Sequence, residues 1–230
     1  MVETKSLKEY RKQCQESLDN EYLRSALDTF AVAYRTSRSN AFAGIDVDGL
    51  VADVAQMKDD TLKRLDDYLD QFTKKAEAAG VVVHLATDSE HANRIITDIA
   101  HNAGCKKVIK TKSMTAEETQ LVPALEREGL EVTETDLGEW IIQLRNEPPS
   151  HMVMPAIHLS RYHVRDLFSE ITGKQEDEAI EKLVKVSRNQ MRRKFAEGDM
   201  GITGANFAVA ETGSIGLVTN EGNALSLIHI

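Results

Sequence analysis

Two stretches of the 230-residue chain hold side chains able to do chemistry at close spacing. The first is KTKS, in which Lys110 and Lys112 set two ammonium groups beside the Ser113 hydroxyl. A β-branched run just before it, KKVI, reads as a strand, so KTKS stands at a strand's carboxyl end, where open α/β sheets bind ligands. Alternation places Lys110 and Lys112 on one face, where both can meet a carboxylate or phosphate; the plainer reading is a pair of surface lysines. The second stretch is NFAVAETGSIGLVTNEGN, whose apolar runs are interrupted at Glu211, Thr212, Gly213 and Ser214 and again at Asn220 and Glu221. The ETGS turn offers a carboxylate, two hydroxyls and backbone N–H groups at one sheet end. Such a concavity suits an anion or a carbonyl oxygen, with Glu211 as base or nucleophile. The structural reading is two successive hairpin turns. With Thr212 and Gly213 as loop residues, Ala210 faces Ile215, Ala208 faces Leu217 and Phe207 faces Val218, while Gly222 is available for a left-handed turn.

Composition closes off other chemistries. Only Cys14 and Cys105 are present, far apart, which suggests neither a disulfide framework nor a thiolate metal site. The seven histidines are scattered, and His158 and His163 lie five apart, a spacing that does not share a helix face. Gly198, Gly201 and Gly204 fall between a helix and a strand, the reverse of the dinucleotide fingerprint, so NAD binding is disfavoured. With 37 acidic and 28 basic residues the formal charge is −9, which opposes nucleic acid and anionic lipid as partners. The start is charged and no apolar run reaches the roughly 18 residues of a membrane span, so membrane insertion is not expected and a cytoplasmic location is.

The elements that must position these groups follow from periodicity. Apolar residues from Leu7 to Tyr34 recur at helical spacing, as one helix or two with a break near Asn20, and a second helical pattern runs from Leu50 to a stop at Gly80. Residues 1–80 are thus expected to form a helical arm. VVVHLATD reads as a first buried strand, opening an α/β domain over 81–230. A helix closed by Gly104, the KKVIKTKS strand, a helix with a Thr115-x-x-Glu118 capping box and the EVTETDLG strand follow. A short helix around Trp140 to Leu144 is capped by Asp136, and NEPPSHMVMPAIH gives a fourth strand between prolines. Two more helices come next, the first from about Ser160 to Ile171, the second acidic at its start and basic at its end in keeping with the helix dipole. The expected fold is α/β, a largely parallel sheet flanked by helices with a C-terminal antiparallel hairpin.

KKVIKTKSMTAEE, LEVTETDLGEWIIQL, NEPPSHMVMPAIH and GITGANFAVAETGSIGLVTNEGN, in this order and spacing, closely resemble the lactate-utilization (LUD) domain of the bacterial iron–sulfur subunit of the L-lactate oxidation system. The resemblance implies a fold like that of ribose-phosphate isomerases and CoA-transferases. It also implies a longer protein, continuing into a ferredoxin-like region whose cysteines hold [4Fe–4S] clusters and pass electrons as lactate is oxidised to pyruvate with other subunits of a complex. No cluster is expected in this chain, which stops before those cysteines. LSLIHI at 225–230 departs from the family's continuation, so the chain is expected to be an N-terminal part with an incomplete α/β domain. The resemblance assigns no catalytic residues. Position and chemistry suggest that Lys110, Lys112 and Ser113 hold a small carboxylate, with the ETGS and NEGN turns lining the same cleft. Two alternatives are an acyl/CoA- or phosphosugar-handling enzyme using Glu211, and a non-catalytic scaffold that docks other subunits through the arm.

Overall fold

The computed structural model describes residues 6–219 and 221–230. It begins with four helices, α1 (Leu7–Asp19), α2 (Glu21–Ala41), α3 (Val47–Leu62) and α4 (Leu65–Ala78). Asn20 separates the first two, and its side chain accepts the Leu23 N–H, supplying the cap that begins α2. The second helical pattern divides in two, with a break at Lys63 and Arg64 that the periodicity does not show. None of α1, α2 or α3 buries a side chain, and α4 buries only Ala76. Among the described residues no helix is long and apolar enough to cross a membrane.

The α/β region comprises α5 (Ser89–Asn102), β1 (Lys107–Lys110), α6 (Met114–Glu118), α7 (Leu121–Arg127), β2 (Glu131–Glu134), α8 (Leu137–Arg145), α9 (Arg161–Thr172), α10 (Ile180–Glu197), β3 (Met200–Ile202), β4 (Phe207–Val209), β5 (Ser214–Gly216) and α11 (Asn223–Ser226). Three parallel strands run in the order β2-β1-β3, and β4 and β5 pair antiparallel in a separate ribbon. Helices α5 and α7 close one core around Val108, Leu121, Leu125 and Val132. A second core gathers Trp140 and Ile141 of α8, Phe168 of α9, and Leu183 and Met191 of α10. The α/β class, the parallel sheet and the C-terminal ribbon agree with the sequence.

Several local expectations are corrected. VVVHLATD is not a strand: among the described residues no partner pairs with it, Val82 is 74% and Leu85 63% exposed, and the Val81 N–H is spent on the Ala76 carbonyl that closes α4. A β-branched run favours extended backbone, but a strand also needs a neighbour. The third parallel strand is instead Met200–Ile202, too short and glycine-interrupted to stand out in the sequence. NEPPSHMVMPAIH forms turns, because the His151 ring nitrogen Nδ1 accepts the Val153 and Met154 N–H groups and folds the chain on itself. The helix after β1 is capped by Ser113 rather than Thr115, and Gln120 in left-handed conformation divides it into α6 and α7. The hairpin forms, but its register is Phe207↔Gly216, Ala208↔Ile215 and Val209↔Ser214, two residues away from the expected pairing. The Val209 carbonyl accepts from both Thr212 and Gly213, which makes a longer loop, and the Phe207 ring lies over Gly216 where no side chain obstructs it. The ribbon is also exposed rather than packed in a core, with Phe207 at 58% and Ile215 at 55%.

The hairpin tip rests on the arm. Gly213 has φ +73°, and a Cβ there would lie 2.4 Å from the Ala76 backbone nitrogen, whereas Gly173 at φ +70° has open space around it. Both Gly213→Ala and Gly173→Ala bear the left-handed backbone cost, about 1 kcal/mol or more. Urea unfolding should show Gly213→Ala to be the more destabilised by a further kcal/mol or so, since backbone cannot yield as a side chain can. Equal losses would mean that the tip does not depend on α4.

Candidate functional site

The carboxyl ends of all three parallel strands converge. The ladder β1–β2 pairs Lys110 with Glu134, and beyond it the Thr135 N–H and hydroxyl both donate to the Lys110 carbonyl, each at 2.9 Å. On the other side the Thr111 N–H donates to the Ile202 carbonyl and its hydroxyl to that of Thr203 at 2.8 Å. One residue later the Lys112 N–H donates to Asp136 Oδ2 at 2.6 Å. This occupation explains why Asp136, although it precedes α8, makes no side-chain cap there. Glu221 supplies that contact instead, its Oε2 accepting the Leu137 N–H at 3.2 Å. Asn223, buried at the start of α11, donates to the Thr135 hydroxyl at 3.0 Å. A cleft of about 840 Å³ opens between these strand ends, residues 203–206, residues 217–219, and Glu221, Asn223 and Ala224.

Lys112, Ser113 and Glu221 line the cleft. The Lys112 ammonium sits 2.5 Å from Glu139 Oε1 and donates to the Val153 carbonyl at 3.1 Å. Ser113 caps α6 through the Ala116 N–H at 3.3 Å, and Gly204 packs so closely on it that a Cβ there would lie 2.9 Å from its hydroxyl oxygen. Lys110 does not reach the cleft. It is 0% exposed, and its ammonium donates to Glu134 Oε1 at 2.8 Å and Oε2 at 3.1 Å, with Glu117 3.7 Å away. Alternation does put it on a definite sheet face, but α6 and α7 cover that face. Glu211, Thr212, Gly213 and Ser214 are absent from the cleft lining; the tip meets α4, and the Thr212 hydroxyl donates to that of Ser214 at 3.0 Å. Asn220 lies outside the described residues.

Sequence reasoning missed Glu134, Glu139 and Asn223. The clue to the first was the TETD pattern, in which an acidic residue interrupts the inward positions of a strand beside a lysine-bearing one. Cleft charge also differs from the expectation: Lys112 is the one lysine or arginine among its lining residues, facing Asp136, Glu139 and Glu221. Partial burial holds the Glu221 carboxyl above its ordinary range, and the neighbouring Asp136 and Glu139 push the same way. The arrangement can neutralise one anionic group at Lys112 once Glu139 yields, and it presents hydroxyls and carboxylates to the remainder of a small polar ligand.

Comparison with known proteins agrees on the family. The LUD domain model matches residues 69–230, from within α4 through the final segment, LSLIHI included. Lactate utilization protein B of Oceanobacillus iheyensis is 40% identical over 219 residues, covering 94% of this chain and 45% of that protein. The protein of the same name from Bacillus subtilis is 40% identical over 216 residues, covering 93% and 45%, and that from Bacillus cereus strain B4264 is 46% identical over 169 residues, covering 74% and 36%. The chain thus spans less than half the length of these curated relatives. No solved structure matches it.

The Lys110–Glu134 pair makes stability depend on pH. Burial lifts Glu134 from its ordinary 4.5 to about 7, outweighing the attraction of Lys110. The folded chain therefore holds a proton that the unfolded chain has released between those values, and stability is lost as pH rises from 4.5 to about 7. Urea midpoints measured across that interval should fall for the wild type and fall less for Glu134→Gln, whose amide does not ionise. Parallel curves would contradict this.

Proposed function

This chain belongs to the LUD domain family, and from that premise we propose that its cleft holds a small 2-hydroxy or 2-oxo carboxylate during lactate utilization. The observation that carries this reading is the position of Lys112, the one lysine or arginine lining a cleft at the carboxyl ends of three parallel strands. Its ammonium meets the ligand carboxylate, and Asp136 or Glu221 accepts from the ligand hydroxyl. Lactate and pyruvate differ at that second position, where the one donates a hydrogen bond and the other only accepts, so the acidic wall favours the hydroxy acid. The relatives named lactate utilization protein B support the pathway, and they are longer than this chain. Oxidation of lactate to pyruvate releases two electrons. In this reading they pass to iron–sulfur clusters of a longer protein or of partner subunits, since a cluster takes about four thiolates and Cys14 and Cys105 lie on separate parts of the fold.

Titration calorimetry with L-lactate tests the proposal. Lys112→Ala should weaken binding about 10-fold or more, the effect of losing one charge-assisted hydrogen bond. Glu139→Gln, which releases Lys112 from its present partner, should strengthen it. Unchanged affinity in both variants, with lactate-dependent growth of a complemented deletion strain also unchanged, would remove the cleft from the pathway.

A second reading concerns the arm. Its helices carry exposed apolar side chains on amphipathic faces, among them Leu7 at 63%, Val32 at 63% and Leu62 at 66%. Burial of such faces is the usual source of helix stability, which favours docking of other subunits there. Co-purification with those subunits should survive Lys112→Ala and be lost on deletion of the residues before α4. The opposite pattern would place docking on the α/β region.

A further inference from the structure

The NEPPSHMVMPAIH segment that fails to form a strand builds something else. Asn146 adopts a left-handed conformation at φ 52° as α8 ends, and the Glu147 N–H donates back to the Ile142 carbonyl at 3.2 Å. Pro148 and Pro149 stiffen the next step, since their rings restrict φ. The Ser150 N–H then donates to the Pro155 carbonyl at 3.0 Å, closing a loop, and tight turns over 154–159 return the chain so that His158 faces its start. As a result the Ser150 hydroxyl lies 2.6 Å from His158 Nδ1, and His158 Nε2 lies 3.1 Å from Glu147 Oε2. Arg145 holds the other oxygen of Glu147 at 2.5 Å.

Proton placement follows from these contacts. Arg145 foremost, and then His158, hold the Glu147 carboxyl down at about 2 against the effect of burial, so it accepts hydrogen bonds and does not donate them. In a neutral imidazole Nε2 therefore carries the hydrogen, and the lone pair on Nδ1 is directed at the Ser150 O–H. This is the relation of nucleophile, base and orienting carboxylate used for covalent catalysis, with the two ring nitrogens exchanged relative to the familiar serine hydrolase arrangement.

Ser150 and Glu147 also line a second cavity, of about 850 Å³, on the far side of the Val153–Pro155 wall from the strand-end cleft. Its apolar surface comes from Val122, Pro123, Ile142, Pro148, Pro149 and Met152. Five glutamates line it against the single cation Lys112. Apolar walls suit an acyl chain, and the excess of negative charge disfavours a phosphorylated leaving group.

We propose that Ser150 is an acyl-accepting nucleophile activated by His158, acting on esters or thioesters with an apolar acyl group and an uncharged or cationic leaving group. Ser150 Oγ bonds to the acyl carbon while its proton passes to His158 Nδ1. The carbon–oxygen or carbon–sulfur bond of the leaving group breaks, and the leaving group takes that proton. Water then attacks the Ser150 ester, gives a proton to Nδ1 and releases the carboxylic acid as Ser150 recovers its own. Glu147 is a positioning residue, setting the tautomer and stabilising the imidazolium. This activity is independent of the lactate reading and uses a different cavity.

The test is exposure of the full chain to a fluorophosphonate reagent, with peptide mass spectrometry, alongside hydrolysis of p-nitrophenyl butyrate. The wild type should carry the adduct on Ser150, and the butyrate ester should slow its formation. Ser150→Ala should show no adduct, and His158→Gln should label about 100-fold more slowly or less, the usual scale of general-base assistance. In Glu147→Gln the His158 ring, followed by nitrogen NMR, should lose its preference for the tautomer with hydrogen on Nε2; a merely structural role would leave that tautomer unchanged. Absence of an adduct on Ser150 in the wild type overturns the proposal and requires no variant to fold. Equal labelling in His158→Gln overturns the base assignment, and an unchanged ring tautomer in Glu147→Gln overturns that of Glu147.

Discussion

A fully buried ammonium is tolerable only when hydrogen-bond acceptors meet it, and the Lys110–Glu134 pair is the constraint around which the sheet is arranged. The two residues occupy one rung of the β1–β2 ladder, so slipping either strand by one residue would leave a charge without its counterpart in the interior. Glu134 is fixed from the far side as well. Gln143 of α8 accepts the Glu134 N–H at 3.0 Å and donates to the Val132 carbonyl at 2.8 Å, which satisfies the open edge of β2 with a side-chain amide. With that rung set, Thr111, Lys112, Thr135 and Asp136 follow as the next residues, and their positions at the cleft are consequences.

The same strand ends serve two cavities. Lys112, Glu139, Val153 and Pro155 line both, and the contact of the Lys112 ammonium with Glu139 and the Val153 carbonyl forms the partition between them. One cavity is polar and gathers hydroxyls, and the other is largely apolar with the Ser150–His158–Glu147 chain at its wall. A single lysine thus stands between carboxylates of both cavities.

Much of this was legible in order along the chain. The break at Asn20 and the helix ends at Gly80 and Gly104 follow from capping chemistry, and the β1 and β2 segments from β-branched runs at the expected spacing. Strand ends and turn residues are local signals, and Lys112, Ser113 and Glu221, which carry them, line the cleft. Lys110 shares the strand-end signal but is buried, because alternation reports a face without reporting what covers it. The ETGS turn has the polar groups of a cleft wall, but the observed loop carries Gly213 to Ala76 of α4. The 81–88 run has strand propensity but no neighbour to pair with among the described residues, and β3, three residues around a glycine, carries almost no propensity and yet pairs with β1.

What the amino-acid sequence determined by itself is whatever neighbouring residues enforce: helix periods and caps, the extended bias of the valine and isoleucine runs, the turn glycines, and the motifs that mark the LUD family. The tertiary structure alone decided which extended segments find partners, that α6 and α7 bury Lys110 against Glu134, and that a proline-rich segment folds back to set Ser150 on His158. Those outcomes depend on groups distant in the chain. Pairing, burial and ring geometry are properties of contacts, and a contact's energy depends on what arrives from elsewhere rather than on the residues beside it.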